Sequence, residues 1–297
     1  MEYTKLALQH KALLESFTKE SGRWLSDTNF TNMFMWRHSR EISFCILDNQ
    51  LIIQTQYPLS APFVFYPLGQ GDKKRAISSL IEYYQKQGLA LELHSLQASE
   101  VEQIQRDFPH QFEISQRRDR FEYIYNTKEL IELSGRKFHK KKNHLNRFYL
   151  QYPTAQFESL EARNLDELAE VNHQWFHASK DKHDKGLYYE NLGINDALQH
   201  FEILGLSGGL LRYEGEIIAF SFGEELDERM ALIHIEKANL AFSGAYQAIN
   251  QALLKHKFSH LLYANREEDL GIEGLRKAKL SYQPSFLIEK YDARFRA

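Results

Sequence analysis

Apolar and polar positions along this chain follow two periods, and the switches between them mark its elements. Residues 8–20 keep the 3.6-residue spacing of an amphipathic helix. The aromatic-rich stretch "NMFMWRHS" follows as loop or helix. "EISFCILDNQLIIQTQY" then alternates with period two on either side of Asp48–Asn49, which predicts a hairpin. "APFVFYPL" reads as a further strand and 73–87 as a helix with Asp72 at its N-cap. "ALELHSL" is a strand and 99–107 a helix. "FEISQRRDRFEYIYN" is a pair of short strands or one long bent one.

The second half repeats this order. Helices are predicted at 164–180 and 195–204, and "GGLLRYEGEIIAFSFGEE" is a hairpin turning at Glu214–Gly215. "RMALIHIEKAN" is a strand, and "SGAYQAINQALLKHKF" is a helix opened by Gly244. "HLLYAN" is a strand, 272–280 a helix, and "SFLIEKYDARF" the last strand. The recurring order predicts an internal duplication in an α/β protein, divided as 1–152 and 153–297. With 297 residues, 43% of them hydrophobic, the chain can supply a core to each half.

Charge changes the picture at one place. The chain is formally −3, yet "SGRKFHKKKNHLNRF", residues 134–148, holds six Lys or Arg and no acid. On a helix over 136–149, Phe138, Leu145, Phe148 and Tyr149 share one face, and Arg136, Lys140, Asn143 and Arg147 cluster on the opposite one. Cations at a helix start oppose its dipole and repel one another, so the block points to an anion. Arg136 and Lys137 lie where first-turn N–H groups point outward. A connecting helix with a solvated basic back is the alternative. The near-neutral total keeps any anion binding local and excludes a general nucleic-acid coat.

Several functions are excluded by what is missing. Cys45 is the only cysteine, so no intrachain disulfide or multi-cysteine zinc site can form. No apolar run approaches the roughly 20 residues of a membrane span, and the N-terminus has no signal-peptide core. A cytoplasmic protein without an integral membrane segment is expected. "GLSGG" at 205–209 has a helix before and a strand after, the reverse of a nucleophile elbow, so Ser207 is not a nucleophile. His173 and His177 are i, i+4, but no third ligand accompanies them, and no metal is expected.

Two further stretches carry candidate chemistry. "HIEKAN" puts Glu236 near the end of a central strand, where a carboxylate could deprotonate an amine. An exposed glutamate is the plainer reading. The loop 239–244 could hold a phosphate on the next helix N-terminus, although Gly244 is its single glycine. "YANREEDLGIEGLRKAKLSYQP", 263–284, leaves a strand and enters a helix, where α/β sheets place ligands. It gathers Asn265, Arg266, Glu267, Glu268 and Asp269, and sets Lys279 on an apolar helix face. An ion-paired, capped loop accounts for it equally.

"SGRKFHKKKNHLNRF", "HIEKAN" and "NREEDLGIEGLRKAKLSYQP" together resemble the family of the C-terminal domain of phosphatidylglycerol lysyltransferase. The resemblance covers most of the chain. It implies two tandem GNAT-like (acyl-CoA N-acyltransferase-like) domains joined by the basic helix. It also implies transfer of an aminoacyl or acyl group, from an aminoacyl-tRNA or an acyl-CoA thioester, to an amine or hydroxyl of a small-molecule or peptide acceptor. On this reading Glu236 is the base, Tyr282 the acid for the leaving group, and a backbone N–H of the 229–239 strand polarises the carbonyl. Arg136, Lys137, Lys140, Lys141, Arg147 and Gly244 hold donor phosphates, and Asn265, Arg266, Asp269, Lys277 and Lys279 shape the substrate site. A non-catalytic RNA- or nucleotide-binding protein on the same fold is the competing reading.

Overall fold

The structure is a computed structural model that describes residues 1–180 and 183–296. Fourteen strands run along the described chain. They are β1 (Thr4–Lys5), β2 (Glu41–Leu47), β3 (Gln50–Gln56), β4 (Phe63–Phe65), β5 (Glu92–Leu96), β6 (Phe112–Gln116) and β7 (Glu122–Asn126). The rest are β8 (Gln156–Ser159), β9 (Ser207–Tyr213), β10 (Glu216–Asp227), β11 (Met230–Ala238), β12 (Tyr263–Asn265), β13 (Phe286–Ile288) and β14 (Tyr291–Phe295). They form two seven-stranded sheets, β1-β2-β3-β4-β5-β14-β6 and β8-β9-β10-β11-β12-β7-β13.

The two strand orders are the same pattern used twice. In the fifth place of each sheet a strand runs parallel to the fourth, β5 to β4 and β12 to β11. The hairpins before each pair are antiparallel. The sixth place is taken by a strand from the other half of the chain, β14 in the first sheet and β7 in the second. This is the mixed α/β architecture that the sequence predicts, and the expected duplication is realised in the shared strand order of the two sheets.

The strand exchange moves the boundary expected at 152/153. One compact unit comprises Met1–Phe121 and the chain from Ile288, the other Glu122–Leu287. The break falls at 121/122 because β6 ends one sheet and β7 enters the other. The last strand is likewise two strands. Between β13 and β14 the chain turns Lys290 inward, where it is fully buried against Asp27. The expected helix at 195–204 is also longer. It runs Lys185–Gln199, capped by Asp184 Oδ1 accepting from Leu187 N at 2.9 Å, and a short turn follows at Phe201–Leu204. Gly186 and Gly193 mask it in the sequence.

Each unit has its own core. In the first, Ile77, Leu80, Ile81 and Tyr84 of the helix Lys73–Gln85 pack on Ile52, Val64, Leu93 and Ala293. In the second, Leu253, Leu254 and Phe258 cover Tyr123, Tyr125, Ala231, Ile233 and Ala264. Beside them Phe138, Leu145 and Phe148 of the basic segment pack on Ile218, Ala248 and Ile249. Each fully buried side chain of this size contributes about 1.5–3 kcal/mol. The apolar face predicted for residues 136–149 is thereby fixed, except that Tyr149 stays 38% exposed.

Candidate active site

The parallel pair of the second unit forks. β11 and β12 pair only from Met230↔Tyr263 to Leu232↔Asn265, whereas β11 runs on to Ala238. After Asn265 the chain stays with β7: Arg266 N donates to Tyr123 O at 3.0 Å, and Tyr123 N donates to Glu267 O at 3.3 Å. The two backbones therefore part just where Glu236 and Arg266 face each other. Arg266 spans the fork. Its Nη2 lies 2.6 Å and its Nε 2.8 Å from Glu236 Oε2. Both side chains are largely buried, at 14% and 13% exposure. The other half of each group, Glu236 Oε1 and Arg266 Nη1, is buried with no partner among the described residues.

Aromatic faces and two lysines close around this pair. The Arg266 guanidinium lies 4.8 Å from the Tyr282 ring centroid and 5.5 Å from that of Tyr125. Lys141 Nζ stands 4.0 Å from the Tyr282 centroid, so it turns away from its basic neighbours and into the cluster. Burial and the nearby Arg266 charge lower its pKa to about 8. Burial raises the Tyr282 phenol to about 12, so it is protonated at neutral pH. Burial would lower the pKa of Arg266, but Glu236 outweighs it and keeps the guanidinium charged.

Lys279 supports the loop. Its Nζ donates to the carbonyls of Arg266 and Glu267, the latter at 3.3 Å, and it lies 5.8 Å from the Tyr123 ring. Burial and then Arg266 lower its pKa to about 8. Asp269 is fully buried and accepts from Arg276 Nε at 2.8 Å, Arg276 Nη2 at 2.9 Å, Gly271 N at 2.9 Å and the Tyr123 hydroxyl at 2.5 Å. Burial opposes its ionisation, and these donors reverse that, lowering its pKa. Asn265, also buried, donates to Glu122 and accepts from Glu267 N at 2.8 Å. Asp269 and Asn265 thus hold the loop that aims Arg266.

The remaining expected residues are spread along the unit's surface. Arg136, Lys140 and Arg147 are exposed, and Lys137 pairs with Glu129 at 2.7 Å. Lys277 is exposed. Gly244 adopts φ +91°, and a Cβ there would meet Phe148 Cβ at 3.0 Å and His144 O at 3.2 Å. Its glycine character therefore serves the close approach of the basic helix.

Sequence reasoning missed His234, two residues before Glu236, at a bulge where β11 steps from Ile235 opposite Phe222 to Ile233 opposite Gly223. Its ring is buried between Glu224, 2.9 Å from Nε2, and Glu267, 3.2 Å from Nδ1. Burial would lower the imidazole pKa, but the hydrogen bonds it donates to Glu224 and Glu267 raise it to about 9. The period-two spacing of His234 and Glu236 within "HIEKAN" was the available signal.

Comparison with known proteins fixes the family. The profile described as "Phosphatidylglycerol lysyltransferase, C-terminal" matches residues 18–294. The chain belongs to this family. A conserved protein of unknown function from Bacteroides thetaiotaomicron has a solved structure 32% identical to it, with TM-score 0.94 and full coverage of both chains. The L-PGS structure from Bacillus licheniformis matches at 19% identity and TM-score 0.66, covering 96% of this chain and 91% of that one, which extends the likeness in fold. An uncharacterized protein of Mycoplasmoides gallisepticum is 30% identical over 171 residues, 57% of this chain, and the match spans 54% of that relative. Family and fold are those of an aminoacyl- or acyltransferase of the lysyltransferase C-terminal type. Among the described residues, no helix is long and apolar enough to cross a membrane.

Proposed function

We propose that the second unit transfers an aminoacyl group from the ester of an aminoacyl-tRNA to an amine or hydroxyl acceptor. The observation that carries this reading is that Glu236 Oε1 and Arg266 Nη1, the unused atoms of one buried ion pair at the fork, have no partner among the described residues. A buried acceptor and a buried donor without partners are costly, and a reacting ester with its nucleophile would satisfy both. Arg266 Nη1 donates to the ester carbonyl oxygen and stabilises the oxyanion. Glu236 Oε1 takes the proton from the attacking N–H or O–H as the new C–N or C–O bond forms. The old C–O bond breaks, and the leaving ribose oxygen takes its proton from Tyr282; Glu236 then gives its proton to solvent, and solvent returns one to Tyr282.

The exposed cations Arg136, Lys140 and Arg147 fit the phosphates of the donor. Packing of Gly244 against Phe148 favours the tRNA ester over a coenzyme A thioester, since the glycine is used in helix contact. The test is formation of aminoacyl hydroxamate from charged tRNA, with hydroxylamine as surrogate acceptor. Wild type is expected to form it, and Glu236→Gln to lose about 10²–10⁴-fold in rate, the range for a general base. Equal rates in both proteins, with melting temperatures matched, would remove Glu236 from the reaction.

A further inference from the structure

The first unit holds a polar cavity of its own. Successive strand residues face opposite sides of a sheet. Val64 of β4, Leu93 of β5 and Ala293 of β14 point into the first core. Phe63, Phe65, Glu92, His94 and Asp292 face the other way and wall a cavity of about 330 Å³, within the size range of small-molecule sites. It lies over the parallel pair β4–β5, the place in the repeated strand order where the second unit carries Glu236 and Arg266.

The carboxylates around this cavity already have cations. Asp27 takes Lys290 and, at 2.8 Å, the Ser95 hydroxyl. Asp292 lies 2.5 Å from Arg117, and Glu92 lies 3.3 Å from His94 and 3.4 Å from Arg294. Arg40 is different. Its Nη1 donates to the Tyr57 hydroxyl at 2.7 Å, and its Nε is buried without a partner among the described residues. Its hydrogen-bond partner is a neutral phenol, and among the described residues no carboxylate pairs with this guanidinium, which lines the cavity, so an anion standing there would be its counter-charge.

The walls are built and held. Lys290 is fully buried. Ser95 sits at φ +58°, a left-handed conformation that a non-glycine residue keeps only when its surroundings fix it. Its hydroxyl is held by Asp27, and its carbonyl by Arg23 at 2.5 Å. Phe63 lies parallel to His94, with ring centroids 3.9 Å apart at 12°, and forms an aromatic wall.

We propose that this cavity is a second ligand site, for a small organic anion — a carboxylate or a phosphate monoester — whose charged end accepts from Arg40 and whose apolar body lies against Phe63 and His94. The site is independent of the transfer assigned to the second unit. Calorimetric titration of the full chain with benzoate and with phenyl phosphate tests it. Saturable millimolar or tighter binding of either probe is expected, and the probe that binds identifies the anion class. Arg40→Gln removes the guanidinium, and Ser60→Trp fills the cavity from an exposed loop without touching the core. Each variant, checked by thermal melting, is expected to weaken binding about tenfold or more. No saturable binding of either probe to wild type, or wild-type affinity in both variants, would overturn the proposal.

Discussion

At the scale of single residues, the site is held by ionised groups whose partners are all within the second unit. His234 is the sharpest case, because its pKa is raised from an ordinary 6.5 to about 9. The folded state then binds a proton that the unfolded chain has lost between those values. The stability so gained is complete below about pH 6.5 and is lost as pH rises through about 9. Lys141 and Lys279, with lowered values, act in the opposite sense at higher pH, so the contrast must be made against a variant. Between pH 7 and 9.5, the unfolding free energy of wild type is expected to fall relative to that of His234→Gln. Parallel curves from denaturant titrations would show that the imidazole is neutral in the fold. Lys279 makes a second prediction. Its ammonium caps two backbone carbonyls, so Lys279→Met should cost about 1–3 kcal/mol of stability, whereas a snorkelling lysine would cost about 0.5 kcal/mol or less. These residues were unevenly legible in the sequence. Glu236, Arg266, Tyr282 and Lys279 could be named from "HIEKAN" and the 263–284 stretch; Glu236 and Tyr282 meet the Arg266 guanidinium, and Lys279 meets its backbone carbonyl. Glu224, ten residues before His234, and Glu122, 143 residues before Asn265, could not, since their roles arise only when β10 and β7 take their places beside β11 and β12.

At the scale of elements, hairpins and caps followed from local chemistry. Asp48 and Asn49 both adopt positive φ in the turn between β2 and β3, as an Asp-Asn pair tolerates, and Asp72 accepts from Arg75 N at 3.0 Å. What local pattern could not show is that "SFLIEKYDARF" divides between two sheets. Both of its segments are strands, and the break at Glu289–Lys290 exists because Lys290 finds Asp27, more than 250 residues away in sequence. The helix opened by Gly244 gives the element-scale prediction. An alanine there meets both an unfavourable φ and the Phe148 Cβ, whereas Gly22, at φ +61°, has nothing within 4 Å of a built Cβ. Gly22→Ala should cost about 1 kcal/mol of strain, and Gly244→Ala about 1–3 kcal/mol more from crowding. Equal losses would mean that the contact between the two helices yields freely.

At the scale of the whole molecule, the duplication was legible because element order survives where residue identity does not. The boundary was not, because exchange of β7 and β14 is decided by which sheet each strand completes. On the proposed function, labour divides within the second unit: exposed cations hold the donor, and the fork performs the chemistry. Charge reversal at Lys140 and Arg147 should therefore weaken tRNA binding, and affinity should fall with salt by a log–log slope on the order of −0.7 to −0.9 per phosphate contacted. Salt-independent binding would contradict that half of the account. The chemistry at the fork is read by the single-turnover rate of aminoacyl transfer to hydroxylamine at saturating charged tRNA. Glu236→Gln is expected to lower this saturated rate about 10²–10⁴-fold with little change in the tRNA concentration that saturates it, while the Lys140→Glu, Arg147→Glu double variant does the reverse. A Glu236→Gln protein that is fully folded and transfers at the wild-type saturated rate would contradict the proposed chemistry at the fork.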